Sequence, residues 1–503
     1  LYQLSKMMMK PFLSIVFSKI VQYKNNLWIN NAVFYQEKTL KYLIRKSKKT
    51  TFGKDHNFSK IKTYKDWKKN VPIRDYEGIS KYVDAMKAGE KDVLWPGKPV
   101  YFCKTSGTTS GSKYIPISKE SMPYHIKSAR DAILSYISET HNSSIVQGKM
   151  IFLQGSPKLN HVGGVLTGRL SGIVAHHIPS YLKKNRLPSY KTNCIEDWEE
   201  KLDSIVDETI NEKMSLISGI PPWVQMYFEK IKAQTNKKIG DVFPYFKLFI
   251  YGGVNFSPYK KTFERLIGRS VDGVELYPAS EGFIAYQNSQ KEKGMLLCVN
   301  HGIFYEFIRA DEFFNSGAER IMLKDVQLGV NYVIVLNTNA GLFGYNIGDT
   351  IKFVNTKPYK IIVSGRIKHF TSAFGEHVIA EEVEKALKKT VRSIDCEINE
   401  FHVSPQVSPK HGLAYHEWFI EFQKDPKELS LFIDLLDENL QSLNSYYKDL
   451  ISGNVLTKLK VTKVLPGGFK KYMKSVGKLG GQNKPPRLSN DRKTADNLEK
   501  FKI

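Results

Sequence analysis

Apolar residues recur at helical spacing from about residue 12 to 48, with Ile15, Val16, Ile20 and Val21 followed by Leu40, Leu43 and Ile44. Steps of three and four place such residues on one helix face, so the chain is expected to open with an amphipathic helical region. Thr51 to Asp75 mixes loop and helix and closes on VPIRDY, where Pro72 breaks the pattern. Between Val93 and Pro116 short apolar runs are separated by Gly, Pro, Ser and Thr, as strands and tight turns are. Ser121 to Ser138 returns to helix, KMIFLQGS (149–156) reads as a buried strand with a Gly/Ser turn, and Asp197 to Glu212 as a charged amphipathic helix. Met214 to Ser218 is a strand leading into GIPPWV, and the apolar run Phe246 to Tyr251 is closed by Gly252 and Gly253. VDGVELYPASEG (271–282) repeats that form, strand then polar turn, and residues 303–309, 319–324 and 331–337 read as antiparallel strands. Helices alternate with strands early and strands dominate late, which predicts an α/β body with added β structure.

Near residue 364 the pattern changes. SGRIKHF is a short basic linker after a strand over 360–363, and EHVIAEEVEKALKKTV predicts a helix with Val378, Val383, Ala386 and Leu387 on one face. The strand WFIEF (418–422), a helix from Leu429 to Tyr446 and the strand KVTKVL complete a small α+β unit. A boundary at about 364–368 divides the chain into a domain of residues 1–365 and one of residues 366–503. No internal repeat is visible.

Composition narrows the class. The 503 residues are 41% hydrophobic and 25% charged, the balance of a globular protein large enough for a substantial core. No run of about 18 apolar residues occurs, so a membrane-spanning helix is excluded and no membrane partner is expected. The apolar stretch MMMKPFLSIVFSKIV lacks a small-residue cleavage site and reads as helix rather than signal peptide. Cys103, Cys194, Cys298 and Cys396 are widely spread, without CxxC or zinc spacing; this argues for core thiols and a reducing cytoplasm. The net charge of +25 raises the question of nucleic acid or another polyanion. Most of it comes from lysines scattered over polar faces rather than from basic residues interleaved with aromatics, which favours a solvated surface over nucleic-acid binding.

Four segments carry candidate chemistry. Thr105 to Lys113 (TSGTTSGSK) holds two glycines, five hydroxyl residues and a lysine, a donor-rich loop able to surround phosphate oxygens, although it is not a Walker loop. Tyr277-Pro-Ala-Ser280-Glu281-Gly282-Phe283 puts a carboxylate on a turn after a strand, where it can hold Mg²⁺. Gly344 to Asp349 (GYNIGD) offers an acid by a glycine turn at a strand end, suited to ribose hydroxyls. Tyr251 to Asn255 (YGGVN) lets a flat ring approach bare backbone. Each of these segments, taken alone, also fits an ordinary turn.

In this order and spacing the segments resemble the GH3 acyl-acid amido synthetases of the adenylate-forming superfamily. SGTTSGSKYIP looks like the phosphate loop of that family, YPASEG like its second motif and GYNIGD like its third. TTFGKDHNFSKI, VPIRDY, FYEFI and the tail GGFKKYMKSVGKLGGQNKPPRL are also GH3-like, the tail most like bacterial members, so the likeness runs along nearly the whole chain. The third motif usually has Arg after Tyr; Asn346 stands here, and a salt-bridge or phosphate role is not carried over to it. The resemblance implies an α/β fold with a large N-terminal domain and a small mobile α+β C-terminal domain. It further implies ATP and Mg²⁺, adenylation of a small carboxylic acid, and transfer of the acyl group to an amino acid. Ser106, Gly107, Thr108, Thr109 and Lys113 would then hold phosphates, with Ser280 also at the nucleotide, and Glu281 would hold the metal. Asp349 would take the ribose, Gly252, Gly253 and Tyr277 would surround adenine, and Phe283 would border the acyl pocket. Lys484, or else Lys478, would reach the α-phosphate. Two rivals stay open: an acyl-CoA ligase using the same adenylate, and a polyanion-binding protein with a vestigial nucleotide site.

Overall fold

The computed structural model describes residues 2–106, 112–178, 183–253, 256, 259–315, 317–367, 370–371, 378–406, 409, 411–453, 456–479, 484–489 and 492–503. The chain divides into two compact units, one of residues 1–347 and 351–362, the other of 348–350 and 363–503.

The first unit opens with two helices, Tyr2–Ile29 and Ala32–Ser47, rather than one continuous helical region. Ser18, Val21, Asn25 and Trp28 face inward, whereas Val16 and Ile20 face out, so the single apolar face expected from the spacing is not formed. Asp75 of VPIRDY caps the helix Tyr76–Lys87, its side chain accepting from the Gly78 N–H at 3.3 Å. That cap sets the first residue of the helix, Tyr76, facing inward. The following strands β1 (Tyr101–Ser106) and β2 (Ser112–Ile117) pair antiparallel across the hydroxyl-rich loop, and a small sheet runs β2-β1-β5-β4 with β4 at Asn160–Val162 and β5 at Val165–Gly168.

The main sheet has eleven strands: β3 (Lys149–Phe152), β6 (Arg186–Leu187), β7 (Met214–Ser218), β8 (Leu248–Gly252), β9 (Asp272–Ala279), β10 (Gly282–Tyr286), β11 (Met295–Leu297), β12 (Ile303–Arg309), β13 (Asn331–Thr338), β14 (Tyr345–Thr356) and β15 (Tyr359–Arg366). They are ordered β12-β13-β14-β15-β11-β10-β9-β8-β7-β3-β6. β6, β3, β7, β8 and β9 run parallel, connected through helices such as Trp198–Thr209 and Pro221–Thr235, and β9, β10 and β11 then turn antiparallel. Parallel strands need both faces covered, and their runs are accordingly apolar, as in MSLIS and LFIYG. Residues 319–324 do not form the expected strand: Ile321 makes one bridge to Phe307, and Leu323–Asp325 is a short 3₁₀ turn. The reason lies in Arg320, which turns inward onto the fully buried Glu306 at 2.8 Å and donates to the Val71 carbonyl. Trp67 and Asn337 also donate to that carboxylate, so the segment is held by a buried charge network instead of a ladder.

In the second unit β16 (Phe370–Thr371) pairs with β17 (Val378–Ile379), and β18 (Glu397–Gln406), β19 (Tyr415–Lys424) and β20 (Lys460–Lys463) form a three-stranded sheet. Val383, Ala386 and Leu387 are the buried face of the helix Ala380–Ser393; Val378, expected on that helix, belongs to β17. The stretch expected as one helix after Leu429 is two, Leu429–Leu443 and Ser445–Ser452. Phe401, Val403, Trp418, Ile420, Phe432 and Leu436 form the core between sheet and helices. All four cysteines are free; three are buried and Cys194 is partly exposed.

Candidate functional site: an acid turn backed by two tyrosines

The YPASEG segment folds as expected, a strand ending in a polar turn. Gly282 pairs with Ala279, so Ser280 and Glu281 form a two-residue loop at the tip of the β9–β10 hairpin. The turn rests on β1: the Cys103 thiol donates to Ser280 Oγ at 3.0 Å. Burial pushes that thiol up to about 12, the neighbouring Glu281 charge pushing the same way, so Cys103 is a neutral donor and not a nucleophile. On the other side the Tyr345 phenol donates to Glu281. Its pKa lies well above the ordinary tyrosine value, first through burial and then through the carboxylate, with Tyr76 and Asp75 adding to the effect. The Tyr76 hydroxyl accepts from the Tyr114 N–H at 2.9 Å, and Lys113 Nζ lies 5.6 Å from the centre of the Tyr76 ring. Lys113 thus lies beside Tyr76, while Glu281 is held by Tyr345, whose phenol also feels Tyr76 electrostatically.

Tyr345 stands where it does because of Gly344. That residue has φ +59°, and a Cβ on it would lie 2.5 Å from the Pro72 carbonyl oxygen. The close approach lets Arg74 donate its N–H to the Gly344 carbonyl and accept from the Asn346 N–H, both at 2.9 Å, which pins VPIRDY against the start of β14. The glycine turn therefore precedes the strand, and Asp349 lies inside β14 rather than at its end.

The other expected residues fall as follows. Ser106 ends β1 opposite Ser112, while Gly107, Thr108 and Thr109 lie outside the described residues. Gly252 ends β8 opposite Leu276, and a Cβ there would meet the Leu276 carbonyl oxygen at 2.3 Å; Gly253 follows, exposed. Tyr277 and Phe283 are 8% and 3% exposed and pack in the main core. Tyr251 and Glu275 sit opposite each other on β8 and β9, and burial raises the Glu275 carboxyl to about 7. Asp349 belongs to the second unit, partly buried, next to Gly348, whose carbonyl accepts from the Ile367 N–H at 2.6 Å. Lys478 is exposed after the helix Gly468–Ser475. Lys484 is partly buried at the start of a segment that docks along β18. Val403 donates to the Arg487 carbonyl and accepts from the Ser489 N–H, and Arg487 pairs with Glu384 and Glu400 at 3.2 Å each while lying over Phe401.

Sequence reasoning passed over Tyr76, Tyr345 and Cys103. Tyr76 closes VPIRDY and Tyr345 lies within GYNIGD, so the segments were noticed. The contacts of Tyr345 with Glu281, of Cys103 with Ser280 and of Tyr76 with Lys113 are tertiary, and no local pattern encodes them.

Three family models match in order: the GH3 family N-terminal domain over residues 26–189, its central domain over 296–366 and its C-terminal domain over 381–493. Together they span more than half the chain. Similar curated proteins include jasmonoyl–L-amino acid synthetase JAR6 of Nicotiana attenuata, 22% identical with 90% of each chain covered. Another is indole-3-acetic acid-amido synthetase GH3.3 of Arabidopsis thaliana, 19% identical over 91% of this chain and 89% of that one. Among solved structures, GH3.15 acyl acid amido synthetase superposes with a TM-score of 0.81 at 16% identity, covering 96% of both chains. A 2-hydroxyisobutyryl-CoA ligase with bound 2-HIB-AMP superposes less closely, with a TM-score of 0.55 at 13% identity over 93% and 90%. The two structural likenesses establish a shared α/β fold.

Proposed function

This chain belongs to the GH3 family, and from that membership we propose that it is an ATP-dependent acyl acid amido synthetase. A carboxylate oxygen of the acid attacks the α-phosphorus of ATP and pyrophosphate leaves. An amino acid then attacks the acyl carbon through its amine, which gives up a proton, and AMP leaves as the amide forms. The relatives with covered lengths near the whole chain carry acid–amino acid synthetase names, which supports this reading.

The observation that carries it is the Ser280–Glu281 turn, an acid held by a buried neutral phenol. Nucleotidyl transfer needs positioning and charge neutralisation more than covalent help, and a fixed carboxylate and lysine supply both. Among the described residues no group of three His, Cys, Asp or Glu could hold a metal ion. A single carboxylate suits Mg²⁺, which takes one or two protein carboxylates and completes its shell with substrate phosphates and water. Glu281 would hold the ion, which when bound neutralises triphosphate charge. Tyr345 donates to the Glu281 carboxylate and keeps it oriented. Ser106, Gly107, Thr108, Thr109, Lys113 and Ser280 would contact phosphate oxygens, and Asp349 would accept from the ribose hydroxyls. Gly252, Gly253 and Tyr277 would border the adenine and Phe283 the acyl group. We assign these nucleotide and acid contacts mainly to residues 1–365, and to residues 366–503 the lysine that meets the α-phosphate. The free cysteines fit a reducing cytoplasm.

The test is exchange of labelled pyrophosphate into ATP across a panel of carboxylic acids. Glu281→Ala and Asp349→Ala are each expected to lose about a hundredfold in exchange, equivalent to ~2.7 kcal/mol. Folded variants that keep wild-type exchange would overturn the nucleotide-site assignment. Mass spectrometry of the products separates the reading from its rival: an acyl amide supports the synthetase, and acyl-CoA as sole product transfers the chain to the CoA ligases.

A further inference from the structure

The first helix buries a mixed face and leaves an apolar one exposed. Its inner face sets Val21 and Trp28 in the core beside the polar Ser18, Gln22 and Asn25, which are satisfied: Ser18 donates to the Ile15 carbonyl of its own helix at 2.7 Å, and Gln22 and Asn25 meet the helix Met122–Thr140. Asn25 donates to the fully buried Asp131 at 3.2 Å, Trp28 Nε1 donates to Asn25 at 3.0 Å, and Ser135 donates to Gln22 at 3.3 Å. The outer face carries Phe12, Val16, Ile20, Tyr23 and Leu27 at steps of four, four, three and four, with Leu13 and Phe17 beside them, all exposed. Phe12 and Tyr23 are 67% and 71% exposed, whereas Asn25 is 3% exposed. One exposed apolar residue needs no explanation, but seven along one stripe do.

The charges beside the stripe say what covers it. Lys10, Lys19 and Lys24 are exposed on the same helix, Lys19 and Lys24 on opposite flanks of the stripe, and the Arg130 guanidinium lies 5.9 Å from the Phe17 ring. No acidic residue occurs from Leu1 to Gln36, and Asp131 is turned inward against Asn25, Lys127 and Arg130. We infer that this face docks in the headgroup region of an anionic lipid bilayer, apolar side chains entering the acyl boundary and the flanking cations meeting phosphate. That is the chemistry of a helix lying in the plane of an interface: aromatic and aliphatic residues on one face, lysines at its margins, a basic protein behind it. A second copy of the chain fits worse, because it would set lysine against lysine in a protein of net charge +25. The helix is not long and apolar enough to cross a membrane, so the contact is peripheral. The expectation of no membrane partner rested on spanning segments, which a surface contact does not require. The GH3 N-terminal match begins at residue 26, so most of the stripe lies outside the matched residues.

Flotation of the full chain with vesicles tests the inference, comparing phosphatidylcholine alone with phosphatidylcholine carrying about one third phosphatidylglycerol. The wild type is expected to float with the anionic vesicles and to be released as salt rises. Val16→Glu/Ile20→Glu removes the apolar contact, and Lys19→Glu/Lys24→Glu keeps the stripe but reverses its margins. Each pair is expected to weaken binding about thirtyfold, with the thermal melt and the soluble pyrophosphate exchange unchanged because all four positions are exposed. Failure of the wild type to float with anionic vesicles overturns the inference. So does a concentration-dependent dimer in light scattering that Val16→Glu/Ile20→Glu abolishes while vesicle binding is absent.

Discussion

Glu275 shows how much one buried acid changes with its surroundings. Burial raises its carboxyl from the ordinary 4.5 to about 7, opposite Tyr251, whose phenol is pushed up by burial and by the same carboxyl. Below the ordinary value both folded and unfolded chains carry the proton and the group contributes nothing to the pH dependence. As pH rises from about 4.5 to about 7 the unfolded chain releases the proton while the folded one retains it, so stability falls through that window and levels off above it. The full effect is up to about 3 kcal/mol. Glu275→Gln is expected to remove this decline, so that urea unfolding of the variant is flatter across the window than that of the wild type. Parallel curves would show that the carboxyl is not held in this state. Nothing in VDGVELYPASEG marks the acid for such treatment; the residue opposite it, Tyr251 on β8, lies more than twenty residues away in sequence.

At the scale of elements, glycines decide where the motifs end up. Gly344→Ala is expected to cost about 2 kcal/mol, because it both strains a left-handed backbone and sets a methyl group against the Pro72 carbonyl. Gly329→Ala shares the positive φ but meets nothing within 4 Å, and is expected to cost about 1 kcal/mol. Equal losses in denaturant melts would remove the close approach as the reason for the glycine. Elements with a clear pattern of their own were legible: Met214–Ser218 is a strand to the residue, and Trp198–Thr209 lies within the expected charged helix. Elements whose own pattern is mixed were not. β18 reads as a mixed polar and apolar run, EINEFHVSPQ, and becomes a strand because β19 and the 484–489 segment flank it. The opening helix had the right period and the wrong face, since spacing gives a stripe but not what lies against it. In the site the sequence offered the acid of the hairpin and the lysine of β2, and withheld the tyrosine that each one meets.

For the whole molecule the charge and the lysine tail belong together. Arg487 is fixed by two glutamates and the Phe401 ring, so Lys484, three residues before it, departs from an anchored point. Lys484→Ala is expected to slow adenylation at least about tenfold, or ~1.4 kcal/mol of transition-state stabilisation, with ATP affinity nearly unchanged. Reaction of a supplied acyl-adenylate with the amine is expected to be much less affected. Single-turnover kinetics separate the two steps, and a large loss in Lys478→Ala with none in Lys484→Ala would move the role to Lys478.

The second unit takes three of its residues, Gly348 to Thr350, from the middle of β14 and the rest from Val363 onward. Those three are not incidental: Gly348 accepts from Ile367, and Thr350 accepts from Ser364 at 3.0 Å. A unit compact in space is therefore interrupted in sequence. Grafting the tail of one such chain onto the body of another at a single junction near residue 363 would give a hybrid whose small unit is completed by the foreign body. A faithful exchange needs a second crossover upstream of residue 348, so recombination within β14 and β15 is constrained even where each half folds well.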